Sequence, residues 1–239
     1  MAATRLTLLR APRATGSWTW WPAERAAGPV EQAATAGRLT AITVRHGLLR
    51  PTRVACRWEL DGRAVPGAWA QTGVAGTVEP ADLIAGLAAA RPEHLPERAR
   101  IGELVITGTG TWFGETGAPR TEAGLLELTV ETAMDDPSVG IEVFHDIWMS
   151  HDFHGRPHPG LRARNAPRLA ELLADIGTAL DAEAEPGEAT SFGHAVDLGV
   201  ENPADDDDVP LDVTELILDG DVKGNVEGNV NGNKSVPCD

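Results

Sequence analysis

Alternating hydrophobic and polar residues predict a first β-hairpin in the N-terminal half of the chain. Its strands cover residues 53–60 and 63–69, and the Asp61-Gly62 pair between them is typical of a two-residue turn with positive φ. Pro66 lies within the second strand and has no backbone N–H to donate to a neighbouring strand. The second strand is therefore expected at an edge of the sheet.

A second hairpin is predicted between residues 125 and 149. Its strands cover 125–132 and 139–149, and they flank a segment of Asp, Pro and Ser, residue types that favour turns. Side chains alternate between the two faces of a strand, so the leucine, isoleucine and valine residues define a face turned toward the core. The acidic residues between them are expected on the opposite face.

Two segments carry the periodicity of amphipathic helices. One covers residues 80–90, begins with Pro80 in its first turn and ends before Pro92. The other covers about 166–184, with Asn165 as a candidate N-cap. Its apolar stripe consists of Leu169, Leu172, Leu173, Ile176 and Leu180. Each helix therefore has one face to bury against a sheet.

Shorter patterns complete the predicted sheet. They cover residues 4–10, 40–46, 101–107 and 190–199. A hairpin followed by a helix occurs twice along the chain. These elements predict an α+β fold, in which a mainly antiparallel sheet built from hairpins carries two packed helices.

Aromatic and glycine-rich segments lie beside these elements. Trp18 and Trp20 would share one face of an extended segment and are expected to pack at one end of the core. Residues 108–117 read GTGTWFGETG, which is expected to be a turn of small residues. This segment lacks the lysine of a phosphate-binding P-loop, so no nucleotide site is predicted there.

The composition changes near residue 200 and predicts a boundary. Residues 1–200 are expected to form one globular domain, and residues 201–239 a flexible acidic tail rich in Gly, Asn and Val. Over 220–233, glycine and valine alternate with polar residues. This two-residue period is typical of a β-strand, but glycine and valine offer little apolar surface to bury. Self-assembly through stacked copies of this GxVx repeat is one candidate function.

The charge balance limits the class of partner. The chain has a formal net charge of −16 and 42% hydrophobic residues, which is typical of an acidic globular protein. Nucleic acids and anionic membranes both require a positive protein surface, so neither is expected as a partner. No stretch approaches the roughly 20 apolar residues of a membrane span.

Cys56 and Cys238 form no CxxC pair, which favours a reducing, cytoplasmic location.

Acidic residues of the second hairpin are expected to crowd together on the face opposite the core. In the register that closes over Asp136-Pro137, Glu131 would oppose Glu142, and Glu127 would oppose Asp146. Like charges in such positions are destabilising, so they need a counter-charge from internal arginines, a bound cation or a basic partner. Two aromatic residues on the same face are typical of interaction hot spots. The candidate partner-binding residues are Glu127, Glu131, Glu142, Phe144, Asp146 and Trp148.

Four of the seven histidines lie between residues 145 and 158. His145 falls on the apolar strand face and is expected to be a neutral, hydrogen-bonded core residue. The others follow the strand end, where an irregular loop could hold a divalent transition metal. Gly155 and Pro157 exclude the helical two-histidine zinc motif. The candidate metal ligands are His151, Asp152, His154 and His158.

These patterns favour a non-catalytic binding protein over an enzyme. The leading hypothesis is an immunity, inhibitor or adaptor protein that engages a basic macromolecular partner through the acidic hairpin face. A metal-dependent hydrolase that uses the loop 145–158 is the alternative from another class. Neither Ser150 nor Ser191 lies in a GxSxG motif, so a serine triad is not predicted. No cofactor is expected outside the metal alternative, and the sequence carries no expectation for the oligomeric state.

Overall fold

An antiparallel sheet of eight strands forms the centre of the protein in the computed structural model, which describes residues 8–22, 28–131 and 137–219. The strand order is β3-β2-β4-β6-β7-β1-β8, and β5 pairs with the far end of β4. The strands are β1 Gly16–Trp20, β2 Arg50–Leu60, β3 Arg63–Gly73, β4 Arg100–Phe113, β5 Pro119–Ala123, β6 Leu126–Glu131, β7 Ser138–Val143 and β8 Glu185–Pro186. Two further strands, β9 His194–Val196 and β10 Gly199–Glu201, form a separate ribbon.

Helices pack on one face of this sheet. They are α1 Pro29–Arg45, α2 Pro80–Ala89 and α3 Pro159–Leu180, and one 3-10 turn covers Asp146–Trp148. Helix α1 contacts β2, β4 and β6, while α3 contacts β4 and α2 contacts β3. The predicted α+β fold with a mainly antiparallel sheet is therefore confirmed. None of the helices in the described part of the chain has the length and hydropathy to cross a bilayer.

The first hairpin forms as predicted. Asp61 and Gly62 make the turn between β2 and β3 with φ of 53° and 75°. The strand β3, which contains Pro66, is an edge strand. The local turn chemistry was sufficient to place both strands, because it does not depend on the rest of the fold.

Helix α1 lies where the sequence predicted a strand over residues 40–46, so that prediction was wrong. Ala33, Ala36, Leu39 and Ile42 recur every three residues and bury one face of the helix against the sheet. Thr43 turns its hydroxyl inward and donates to the carbonyl of Leu49. Burial therefore outweighs the β propensity of the Ile-Thr-Val segment.

Strand β4 continues through residues 108–113 of the glycine-rich segment that was predicted as a turn, while residues 114–117 do form the turn that leads into β5. A Cβ atom on Gly108 would lie 2.0 Å from the carbonyl oxygen of Arg50, and one on Gly110 would lie 2.2 Å from that of Leu48. These glycines allow close backbone approach to the chain entering β2 and do not reverse the chain direction.

Helix α3 begins earlier than predicted and carries Asn165 inside it. The Asn165 amide accepts from the backbone N–H of Phe113 and donates to its carbonyl, which joins α3 to the end of β4. The predicted strand over 190–199 is only the short β9–β10 ribbon. Part of the strand predicted over 4–10 lies outside the described residues, and residues 8–10 are not in a strand.

The two faces of the sheet differ in burial. Along β4 the even-numbered residues, such as Leu104 and Ile106, are buried under the helices, while the odd-numbered ones stay partly exposed. Trp18 and Trp20 lie in the core on the helix side, as predicted. The opposite face of the sheet is open.

Residues 201–219 lie against the body of the protein. The side chain of Asn202 bonds both backbone groups of His151, and the N–H of Val213 donates to the carbonyl of Phe153. A helical segment at 214–219 buries Ile217. Residues 201–219 therefore contact the body of the protein. The flexible tail over 201–239 stays a prediction, and the GxVx repeat lies outside the described residues.

Candidate partner-binding face

Glutamates of β6 and β7 share the open face of the sheet, but in another register than predicted. Glu127 lies across from Glu142, and Glu131 lies across from Ser138. The predicted Glu131–Glu142 and Glu127–Asp146 pairs are therefore wrong. The observed register pairs Glu131 with Ser138, four residues earlier in β7 than the predicted partner Glu142.

Strand β4 adds a fourth glutamate that sequence reasoning missed. Glu103 pairs in register with Glu131 on one side and with Arg57 of β2 on the other. The alternation within β4 could have placed Glu103 on the polar face, but only the strand order brings it beside Glu131. We call the surface formed by Glu103, Glu127, Glu131 and Glu142 the acidic face.

Two arginines partly neutralise the acidic face. A nitrogen of the Arg10 guanidinium lies 2.5 Å from a carboxylate oxygen of Glu127. The Arg57 guanidinium lies 3.2 Å from Glu103 and 3.4 Å from Glu131. Among the described residues no such ion pair involves Glu142. The acidic face therefore keeps an excess of negative charge.

The pKa values of Glu103 and Glu142 are both raised, and desolvation is the largest cause for each. Desolvation raises the pKa of Glu142 above its usual range, and the neighbouring charge of Glu127 raises it further, while Arg10 lowers it. For Glu103, desolvation also raises the pKa, although the ion pair with Arg57 opposes the effect. Both carboxylates are therefore held in a setting that disfavours their charge.

Two of the predicted partner-binding residues, Asp146 and Trp148, do not lie on the acidic face, and a third, Phe144, adjoins it but is covered. Strand β7 ends at Val143, and the chain then turns into the core. Asp146 is only 8% exposed and accepts from the backbone N–H of Phe153, and Trp148 is fully buried. Phe144 is 6% exposed and lies beneath the guanidinium of Arg10, 3.7 Å from its ring centroid. The expectation of exposed aromatic anchors was wrong. Strand β7 ends before Phe144, which Arg10 covers, and Trp148 packs in the hydrophobic core.

A groove of about 580 Å³ borders the acidic face between α1, the β6–β7 hairpin and the end of α3. Glu131 and Ser138 form the shared border, and the hydroxyl of Ser138 donates to the Glu131 carboxylate. Glu31 and Asp181 add further acidic groups, while Arg38 is a base on the groove lining. Negative charge thus extends from the sheet onto the neighbouring helices.

His145 is a buried core residue, as predicted, but among the described residues its buried Nδ1 atom has none of the hydrogen-bond partners that were also expected. It is 1% exposed, and burial together with the charge of Arg10 lowers its pKa to about 4. The imidazole is therefore neutral near pH 7, where it contributes to core packing and not to proton transfer.

The candidate metal ligands are directed to separate partners. His158 donates from Nε2 to the carbonyl of Met149, and His154 lies 3.8 Å from the Asp212 carboxylate. Asp152 accepts from the backbone N–H groups of His154 and Arg156, which closes a tight turn. In residues 8–22, 28–131 and 137–219, no three His, Cys, Asp or Glu side chains could hold a metal ion.

Comparisons with protein-family models, curated proteins and solved structures found no match to this chain.

Proposed function

We propose that the protein is a non-catalytic binding protein, of the immunity, inhibitor or adaptor type, that engages a basic macromolecular partner through the acidic face. The observation that carries the proposal is the pair of Glu127 and Glu142 directly across two strands, with Arg10 paired to only one of them. Like charges in such positions destabilise a sheet by themselves. A basic partner supplies the counter-charge that relieves this repulsion.

The position of the acidic face supports the same function. It lies on the open side of the sheet, where its four carboxylates are partly or fully exposed to a partner. The bordering groove adds Glu31 and Asp181 to the negative surface. Complementary charge of this kind mainly speeds association and selects partners, and its effect falls at high salt.

The two other candidate functions have less support. The hydrolase alternative needs converging ligands, and the side chains of His154 and His158 are directed to different groups. Self-assembly through the GxVx repeat concerns residues 220–233, which lie outside the described part of the chain. A partner-binding role is therefore the function that the arrangement of charges supports best.

A charge-reversal experiment tests this proposal. The variant with Glu127→Lys and Glu142→Lys is compared with a control carrying Glu93→Lys and Glu97→Lys, two exposed glutamates in the α2–β4 loop. Both variants change the net charge equally. A hexa-arginine peptide serves as the basic probe, and binding is measured by calorimetry at low and high salt.

The face variant should bind the peptide about tenfold more weakly, a loss of about 1.4 kcal/mol. The control should change affinity no more than about twofold, because its charges lie away from the site. Equal losses in both variants would mean that the peptide responds only to net charge, and the proposal would be wrong. Circular dichroism of each variant checks that the fold is retained.

A further inference from the structure

Arg10 occupies the acidic face from outside the sheet. It belongs to the irregular segment before β1, yet its guanidinium reaches across to β6 and β7. One nitrogen pairs with Glu127, and the planar group covers the ring of Phe144. An ion pair combined with a cation–π contact is the way in which a protein surface recognises an arginine side chain.

The covering arginine is itself accessible. Its side chain is 41% exposed, whereas the ring of Phe144 beneath it is nearly inaccessible. Removal of the guanidinium from this position would uncover an aromatic ring beside two carboxylates, Glu127 and Glu142. Such a combination of aromatic and acidic groups is a good receptor for arginine.

The backbone of the segment is held independently of the Arg10 side chain. The N–H of Ala11 donates to the carbonyl of Phe144, and the N–H of Thr15 donates to that of Val143. Residues 8–12 also line a small groove together with Ile217 and Leu218. The side chain of Arg10 can therefore leave the acidic face by rotating about its own bonds while the main chain stays in place.

We propose that Arg10 is an autoinhibitory occupant of the acidic face, and that an arginine of the basic partner replaces it on Glu127 and Phe144. This inference rests on the proposed function and specifies its chemistry, because it names an arginine-containing segment as the ligand. It also explains how a buried aromatic residue can contribute to binding. Phe144 becomes a contact only after Arg10 has moved.

Arg13 provides a matched control for this exchange. It lies three residues away, is exposed, and takes part in no ion pair or ring contact that involves the acidic face in the described residues. The variants Arg10→Ala and Arg13→Ala lose the same charge. Binding of the hexa-arginine peptide to both variants and to the wild type is measured by calorimetry.

Arg10→Ala should bind the peptide about tenfold more tightly than the wild type, as expected when a competing occupant covers most of the site. Arg13→Ala should tighten binding no more than about twofold, which corresponds to the change in net charge alone. Equal affinities of the two variants, or weaker binding by Arg10→Ala, would overturn the autoinhibitory role and leave the acidic face as the binding site. Absence of binding by all three proteins would overturn the proposed function itself.

A second measurement follows the Arg10 side chain in the wild-type protein. The NMR resonance of its Nε–H group should move on peptide addition toward its position in a Glu127→Gln variant, where the ion pair is lost. If the peptide binds and this resonance does not move, Arg10 is not displaced. That result would overturn the exchange even if the affinities had changed as expected.

Discussion

Glu142 shows at the residue scale how the acidic face opposes folding. It lies across from Glu127, and its pKa is raised by desolvation and by that neighbouring charge. For a carboxyl group with a raised pKa, the folded state loses stability as the pH rises through that pKa. The destabilising effect is therefore present at neutral pH and absent in acid, where both states are protonated.

Glu142→Gln should stabilise the protein by about 0.5 kcal/mol at pH 7, since it removes one member of a cross-strand pair of like charges. Near pH 3 the substitution should have no effect. Urea unfolding at the two pH values measures the difference. Glu115→Gln, in an exposed turn, is the control, and an equal gain from it would attribute the effect to net charge.

At the scale of single elements, two side chains of helix α3 connect it to the end of β4. Arg168 donates to the carbonyl of Thr111 and covers the ring of Phe113, and Asn165 bonds the backbone of Phe113. Asn165 is fully buried, accepts from the N–H of Phe113 at 2.8 Å and donates to its carbonyl at 2.8 Å. A third bond from Asn165 reaches the carbonyl of Leu161 within the helix. The amide thus substitutes for a neighbouring strand at Phe113.

Asn165→Ala should lower the free energy of unfolding by about 2 kcal/mol, because it leaves partly buried backbone groups of Phe113 without these partners. Asn165→Asp should also be destabilising, since a carboxylate cannot donate to that carbonyl. Chemical denaturation measures both losses. A loss below about 0.5 kcal/mol for the alanine variant would show that Phe113 finds other partners.

At the scale of the whole molecule, residues 201–219 dock against the body of the protein. This contact allows the segment to unfold either together with the sheet or separately from it. Ile217 is 2% exposed, whereas the adjacent Leu218 is 61% exposed. The segment also packs beside residues 8–12, which carry Arg10 to the acidic face. The two ends of the described chain are thereby joined in space.

Ile217→Ala should lower the free energy of unfolding by about 2–3 kcal/mol if the segment belongs to the same cooperative unit. Leu218→Ala, which removes an exposed side chain from the same helical segment, should change it by less than about 0.5 kcal/mol. Thermal unfolding of both variants makes the comparison. Equal, negligible effects would mean that the segment opens independently of the sheet, as the predicted boundary near residue 200 implies.

The sequence by itself determined the elements that depend on near neighbours. Asp61-Gly62 placed the first hairpin, and apolar residues at helical spacing placed most of α2 and α3. Glu127, Glu131 and Glu142 were correctly expected to share one face, because alternation in a strand is a local property, but Asp146 lies past the end of β7. Turn chemistry and periodicity act over a few residues and can be read directly from them.

Only the tertiary structure decided the composition of the acidic face. The strand order brought Glu103 beside Glu131, and the fold brought Arg10 over Phe144. Burial also drew Asp146 and Trp148 away from the surface and made α1 a helix. These outcomes depend on contacts between residues far apart in the chain, where the free energy of burying apolar surface outweighs local preference.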